Sequence, residues 1–275
     1  MASGPPVTIA LARRLAAAHE HLHAEGMRAA AALEDNPFEI EVRCFGRATA
    51  TLSAKLAIVE SYNRVVGLEQ QDARAIPGML EFFRARGIRA RFEIGPGELT
   101  SALALQLASE RVGLERFESI VFGPIEARVP PVASHIEVRP SPLAELDQYL
   151  ELWARGFALP EFLWQDAKRI HAAWFNVPGF QRYLALLDGE PIACAGLYLQ
   201  GEIAYLSVSA TVPEARGRGA QSALIDRRWR DAAERGCRIA MSQTAFGGTS
   251  QHNMERAGMR LSHTMGVWLD YGLPL

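Results

Sequence analysis

Between residues 202 and 235 the chain demands a strand, a tight glycine turn and a helix in immediate succession. Ala204, Leu206, Val208, Ala210 and Val212 alternate with Ile203, Tyr205, Ser207, Ser209 and Thr211. That two-residue period predicts a strand over 202–212, apolar on one face and increasingly polar toward its end on the other. The turn Pro213-Glu214-Ala215-Arg216-Gly217-Arg218-Gly219-Ala220-Gln221-Ser222 follows, and a helix is expected to run to Arg235 and close at Gly236. Glycines at 217 and 219 let the backbone turn sharply and approach a ligand with no Cβ in the way. The first N–H groups of the next helix lack an internal partner and carry the positive end of its dipole. Arg216 and Arg218 add full charges. Such a junction is an anion site suited to a pyrophosphate, although the same residues would also serve an ordinary helix start with surface arginines. The chain has neither GxxxxGK[ST] nor GxGxxG, so a Walker loop and a dinucleotide fingerprint are excluded.

The elements around this junction predict an α/β (α+β) chain of two domains, 1–130 and 131–275. The proline-rich segment 124–134, with Pro130-Pro131, reads as the connector. In the first half, helices are expected over 9–33, 75–86 and 99–108, and strands over 38–44, 57–62 and 88–94. Leu11, Leu15, Ala18 and Leu22 share one face of the first helix. In the second half a strand at 136–139 precedes helices over 142–155 and 162–175. Strands 181–187 and 191–199 then form a hairpin through Asp188-Gly189-Glu190.

Bulk properties narrow the partners. A formal net charge of −2 gives no general attraction to nucleic acid or to an anionic membrane. No stretch approaches the roughly 20 apolar residues of a membrane helix. Cys44, Cys194 and Cys237 are odd in number and widely spaced, so neither a disulfide framework nor a cysteine zinc site is indicated. The expected compartment is cytoplasmic and the expected state a monomer or homodimer.

Arg216, Gly219 and Gln221 occupy the three defining places of the motif R/Q-x-x-G-x-G/A, Gln221 standing where Gly or Ala is usual. Together with "SATVPEARGRGAQSALI", "ERGC" and "SQHNMERAGM" in that order, these residues resemble the GNAT superfamily of acyl-CoA-dependent N-acetyltransferases. The resemblance covers roughly residues 136–268. It implies a mixed, mostly antiparallel sheet flanked by helices, with acetyl-CoA as the acyl donor. By the same resemblance Ser209, Ala210 and Thr211 would pair their backbone with the pantetheine arm. Arg216, Gly217, Arg218, Gly219, Ala220, Gln221 and Ser222 would hold the pyrophosphate. The fourth strand and a fifth over 238–244 would splay apart, and Ser250 and Asn253, at the start of the next helix, would contact CoA from across that slot. The first half, through "YNRVVGLEQ" and "FFRARGIRARFEIGP", is similar to the degenerate amino-terminal partner of two-domain members.

The resemblance further implies direct attack of an amine of a small molecule or peptide on the thioester. An amine with pKa about 10.4 must lose a proton at a cost on the order of 4–5 kcal/mol at pH 7, so a general base is useful. Glu202 is the candidate base, although simple alternation sets it on the strand face opposite Thr211 unless a β-bulge intervenes. For the general acid, Met254 stands where many members have tyrosine, leaving Tyr205, His252 and Ser250 as substitutes. Trp153, Phe157, Trp164, Trp174 and Phe175 lie in the helices expected to border the acceptor, where most would serve as core.

Two other functions fit parts of the sequence. One is a non-catalytic acyl-CoA-binding or scaffolding protein. The other is a zinc metallohydrolase, because His19-Glu20-His21-Leu22-His23 matches HExxH on a predicted helix. The same residues read equally as the polar edge of an amphipathic helix without a third ligand.

Overall fold

The structure, a computed structural model, describes residues 6–126 and 135–273, so most of the expected proline connector at 124–134 lies outside the described residues. The described residues form two compact units: 7–119 with 262–273, and residue 6 with 120–261. None of their helices is long and apolar enough to cross a membrane.

In the first unit α1 (Ile9–Ala31) starts at Thr8, whose Oγ1 accepts the Leu11 N–H at 3.1 Å. Its expected apolar face is buried at Leu11, Leu15, Ala18 and Leu22. The antiparallel hairpin β1 (Ile40–Phe45) and β2 (Ala48–Ser53) follows, and β3 (Arg64–Val66) pairs with β2. Then come α2 (Ile76–Arg84), β4 (Arg91–Ile94), α3 (Ser101–Ser109) and β5 (Val112–Pro124). α2 stops at Gly87, where φ is +67° and the Ile88 N–H reaches back to Phe83 C=O at 3.2 Å. Residues 266–269 of the last strand pair with β4, and buried Asp270 accepts two hydrogen bonds from Arg84 at 2.8 and 2.7 Å.

No strand is expected after 99–108 in the first half, so β5 departs from expectation, and two other departures in this unit have identifiable reasons. Residues 57–62 form no strand: buried Asn63 donates to the carbonyls of Leu56, Ala57 and Val59 and accepts the Ser53 N–H. Those bonds curl the segment into turns and displace the strand to β3. β2 escapes the alternation test because Ala-Thr-Ala-Thr-Leu-Ser is small and mostly buried on both faces.

The second unit contains β6 (Ile136–Pro140), α4 (Leu146–Gly156), α5 (Trp164–Trp174), β7 (Phe180–Leu187), β8 (Glu190–Gln200), β9 (Ile203–Tyr205) and β10 (Ser209–Thr211). It continues with α6 (Ala220–Glu234), β11 (Ile239–Ala245), α7 (Thr249–Arg256) and the start of β12 (Arg260–Asp270). The strand order is β11-β9-β8-β7-β6, with β10 also on β8, and only the β9–β11 pair in this series is parallel. The β7–β8 turn is the expected one, with positive φ at Asp188 and Gly189.

The strand expected as one piece over 202–212 is two. Tyr205 pairs with Tyr198 and Ser209 with Ala195, so Leu206, Ser207 and Val208 stand opposite only Gly196 and Leu197. This is a β-bulge, and Val208 there has φ +33°, a strained value for a β-branched residue. Both faces of the segment are largely buried, and Ser209 and Thr211 at its polar end line a cleft.

Helices α4, α5 and α6 bury Tyr149, Trp153, Phe175, Leu224 and Trp229 against Tyr183, Leu184 and Leu197 of the sheet. Trp164 and Trp174 are partly buried and Phe157 is 50% exposed. α4 meets β10 at Gly156, where an added Cβ would lie 2.6 Å from the Ala210 Cβ and 3.1 Å from the Thr211 nitrogen. His171 sits among Trp153, Trp174 and Phe175, with ring centroids at 4.0, 5.0 and 5.0 Å. Burial pushes this imidazole down to about 3 from its usual 6.5.

Two measurements follow from this packing. Gly156→Ala should cost about 1–3 kcal/mol in urea unfolding, because backbone and a packed methyl must move; a neutral effect would contradict the close approach. For His171 the unfolded chain takes up the proton first, so stability is constant above about pH 6.5 and falls below it, by at most about 1.4 kcal/mol per pH unit. The fall ends near pH 3. His171→Phe should therefore lose less melting temperature than the wild type between pH 6.5 and 4.5, and equal losses would refute a neutral buried imidazole.

Candidate functional site

The turn before α6 takes its shape from the two glycines. Val212 leads into a short 3-10 turn at Pro213–Ala215, Arg216 is extended, and Gly217 and Gly219 have φ of +78° and +89°. A Cβ at either glycine would have nothing within 4 Å, so the space beside them is open. The first helical bond of α6 runs from Ala223 N–H to Gly219 C=O at 3.1 Å, which leaves the N–H groups of Ala220, Gln221 and Ser222 for an outside acceptor.

These groups border a cleft of about 570 Å³. Its walls are Gly156 and Phe157 from α4, Ser209, Ala210 and Thr211 from β10, the stretch Ala215–Gly217, Gly219–Ser222 at the start of α6, and Thr249, Ser250, Asn253 and Arg256 from α7. The structure thus brings together Ser209, Ala210, Thr211, Arg216, Gly217, Gly219, Ala220, Gln221, Ser222, Ser250 and Asn253. Arg218 is exposed beside the turn but is not on the lining.

Arg216 is anchored at the junction of three elements. Its Nη2 donates to Gly156 C=O at 3.0 Å and its Nε to Thr211 C=O at 3.4 Å. Gln221, the long residue where the motif has a small one, is committed to β10. Its Oε1 accepts from Ser209 Oγ at 2.5 Å and its Nε2 donates to Thr211 Oγ1 at 2.9 Å. Sequence reasoning placed Phe157 only in a helix bordering the acceptor, and it missed Gly156, Ala215, Thr249 and Arg256. Arg256 carried one signal, its place three residues after Asn253 on the same helix face, and its Nη2 does donate to Asn253 Oδ1 at 2.5 Å.

Behind the cleft the sheet divides as expected. β9 pairs with β11 through Tyr205–Met241, and Leu206 N–H still reaches Met241 C=O at 2.8 Å. Past the bulge, β10 pairs with β8 and no longer with β11. The carbonyls of Ser207 and Val208 both accept from the Gly196 N–H, at 3.3 and 2.8 Å. All peptides are trans among the described residues, so the Val208 N–H points opposite to the Ser207 C=O, away from β8 and into the split. It donates to no protein acceptor among the described residues.

The candidate catalytic residues lie off the lining. The bulge does bring Glu202 into step with Thr211 along the strand. Glu202, however, occupies the β8–β9 turn, half exposed, with Arg238 Nε 3.1 Å from its carboxylate. Tyr205 is buried opposite Tyr198. Of the substitutes for the acid, Ser250 lines the cleft and His252 is exposed elsewhere on α7, while Met254 is core.

The HExxH spacing on α1 serves a polar network instead. His19 Nε2 lies 2.8 Å from Glu93 Oε2 and His23 Nε2 lies 2.8 Å from Thr51 Oγ1. Burial would raise the Glu93 carboxyl, but Arg64 and His19 hold it at about 2, whereas burial lifts Glu20 to about 7. Among the described residues no group of three or more His, Cys, Asp or Glu is arranged to hold a metal ion.

Residues 146–259 match the model of the acetyltransferase (GNAT) family. Solved structures share the fold over nearly the whole chain. A GCN5-related N-acetyltransferase from Kribbella flavida is 14% identical with a TM-score of 0.64, spanning 95% of this chain and 96% of that one. One from Sphaerobacter thermophilus is 15% identical with a TM-score of 0.57, spanning 96% and 92%. A tandem GNAT protein from the clavulanic acid biosynthesis pathway is 13% identical with a TM-score of 0.60, spanning 94% of each. No curated protein matches the sequence significantly. With the family model lying over the cleft, residues 146–259 are an acetyltransferase domain of the GNAT family, and the chain shares its fold with a tandem GNAT protein over most of its length.

Proposed function

We propose that this acetyltransferase moves the acetyl group of acetyl-CoA to a primary amine of a small molecule or peptide by direct attack. The observation that carries the reading is that two features adjoin: Val208 is off the cleft lining, but the next residue, Ser209, is on it. Unsatisfied α6 amides with Arg216 form an anion cradle, and the split strand beside them presents a free Val208 N–H.

Each group has a role that its geometry allows. The N–H groups of Ala220, Gln221 and Ser222, with the guanidinium of Arg216, hold the pyrophosphate through charge-assisted hydrogen bonds. The open space at Gly217 and Gly219 lets phosphate oxygens approach the backbone. The unpaired edge of β10 at Ser209–Thr211 takes the pantetheine amides as an added strand would. Asn253 and Ser250 close the cleft from α7.

The amine nitrogen attacks the thioester carbonyl carbon, the carbon–sulfur bond breaks, and CoA leaves as thiolate. Negative charge that develops on the carbonyl oxygen is met by the Val208 N–H. The ammonium proton leaves through water, because Glu202 is held by Arg238 and neither Glu202 nor Tyr205 lines the cleft. A thiol with pKa about 8.5 is a tolerable leaving group without a dedicated acid. Membership of an acetyltransferase family favours this reading over a binding-only protein.

Arg216→Ala should weaken acetyl-CoA binding by roughly 10-fold to 100-fold in calorimetry, the worth of a charged hydrogen bond. Unchanged affinity would sink the cradle assignment. A thiol-release screen against amino acids, polyamines, aminoglycosides and peptide N-termini tests transfer itself, and silence across primary amines despite tight acetyl-CoA binding would reject it. With the amine so found, Glu202→Gln and Tyr205→Phe should keep the wild-type pH profile, and loss of its alkaline limb would restore either residue as the base.

A further inference from the structure

The largest fully buried side chain of the described residues is a charged one, Arg228 in the middle of α6. Its Nη1 donates to Gly196 C=O at 2.9 Å and to Ser207 C=O at 3.1 Å, and its Nε to Leu224 C=O at 3.0 Å. Its Nη2 has no protein partner among the described residues, and no carboxylate pairs with the guanidinium there. Tyr149, Tyr183 and Cys194 are the titratable groups around it, and burial lowers it only to about 10, so it stays charged at neutral pH.

A buried cation without a counter-ion is expensive to keep. Its position shows what it does. The bulge leaves Gly196 C=O without the Val208 N–H that a regular ladder would supply, and Arg228 takes that carbonyl. It also takes Ser207 C=O, which belongs to the same peptide group as the Val208 N–H. A cation on the oxygen of a peptide polarises it and makes its N–H a stronger donor. The same charge attracts negative charge that develops on the N–H side in a site of low dielectric.

We infer that Arg228 is a positioning residue, which holds the bulge at 206–208 open and strengthens the Val208 N–H as the donor to the thioester oxygen. This rests on the reading of the cleft as an acetyl-CoA site. The guanidinium itself does not touch the acyl group; it acts through the peptide between Ser207 and Val208. The strained φ of Val208 is the consequence, since the two bonds from Arg228 to Gly196 and Ser207 hold that residue where the free N–H faces the split.

The test uses the full chain with acetyl-CoA labelled with carbon-13 at the carbonyl, compared in wild type, Arg228→Gln and Arg228→Lys. Wild type should shift the bound carbonyl signal downfield from free acetyl-CoA. Arg228→Gln keeps donors but loses the charge, so the shift should fall back toward the free value and kcat for thiol release should drop about tenfold or more, as for other weakened oxyanion donors. KM for acetyl-CoA should change little, and Arg228→Lys should fall between. A Gln variant with wild-type carbonyl shift and kcat would overturn the inference, as would losses in KM and kcat that track the fraction unfolded. In the wild type, the Val208 amide proton should move downfield with acetyl-CoA but not with CoA, a check that needs no variant to fold; no difference overturns the inference. Failure of wild type to bind acetyl-CoA at all would instead reject the cleft assignment.

Discussion

The cleft depends on one break in backbone pairing. An extra residue among Leu206, Ser207 and Val208 forces β10 out of register with β9 and frees the edge that would otherwise meet β11. A bulge of this kind leaves main-chain groups without ladder partners, and in a buried sheet each must find another. Gly196 and Ser207 find Arg228, Leu206 finds Met241 and Ser242, and within the bulge the Val208 N–H is left over among the described residues.

The anion cradle is built on the same stretch of chain. Because β10 ends at Thr211 beside Gly156, the turn through Gly217 and Gly219 delivers the start of α6 next to the freed strand edge. Arg216 and Gln221 then tie that turn back to β10 through Thr211, and Arg216 also ties it to α4. The proposed phosphate cradle and the proposed thioester donor thus share a single frame, from the bulge at 206–208 to the first turn of α6. α6 contributes at both ends of the problem, its amides at the cleft and its Arg228 behind the bulge.

The N-terminal unit shows how a motif can be put to another use. The i, i+4 spacing of His19 and His23 does place both imidazoles near each other, with centroids 6.3 Å apart. Their nitrogens are engaged by Glu93 of β4 and Thr51 of β2, so the spacing joins a helix to its sheet. What decides between ligand and packing is the partner set that the sheet brings, and that set is far away in sequence.

Local chemistry alone made much of the chain legible. The glycine turn and the Asp188-Gly189 hairpin each depend on neighbouring residues, and each is legible in the sequence. The residues of the anion cleft were readable for the same reason, since Arg216–Ser222 is one continuous turn. The bulge was named beforehand only as the condition under which Glu202 and Thr211 would share a strand face. Its presence is decided by pairing with β8, because alternation from 202 to 212 describes an unbroken strand equally well. The same limit hid β2, which small residues disguise, and β3, displaced by the bonds of Asn63. It hid Arg228 most completely. An arginine at that place on a helix reads as solvent-facing, and only the strand folded over it made burial of its charge useful.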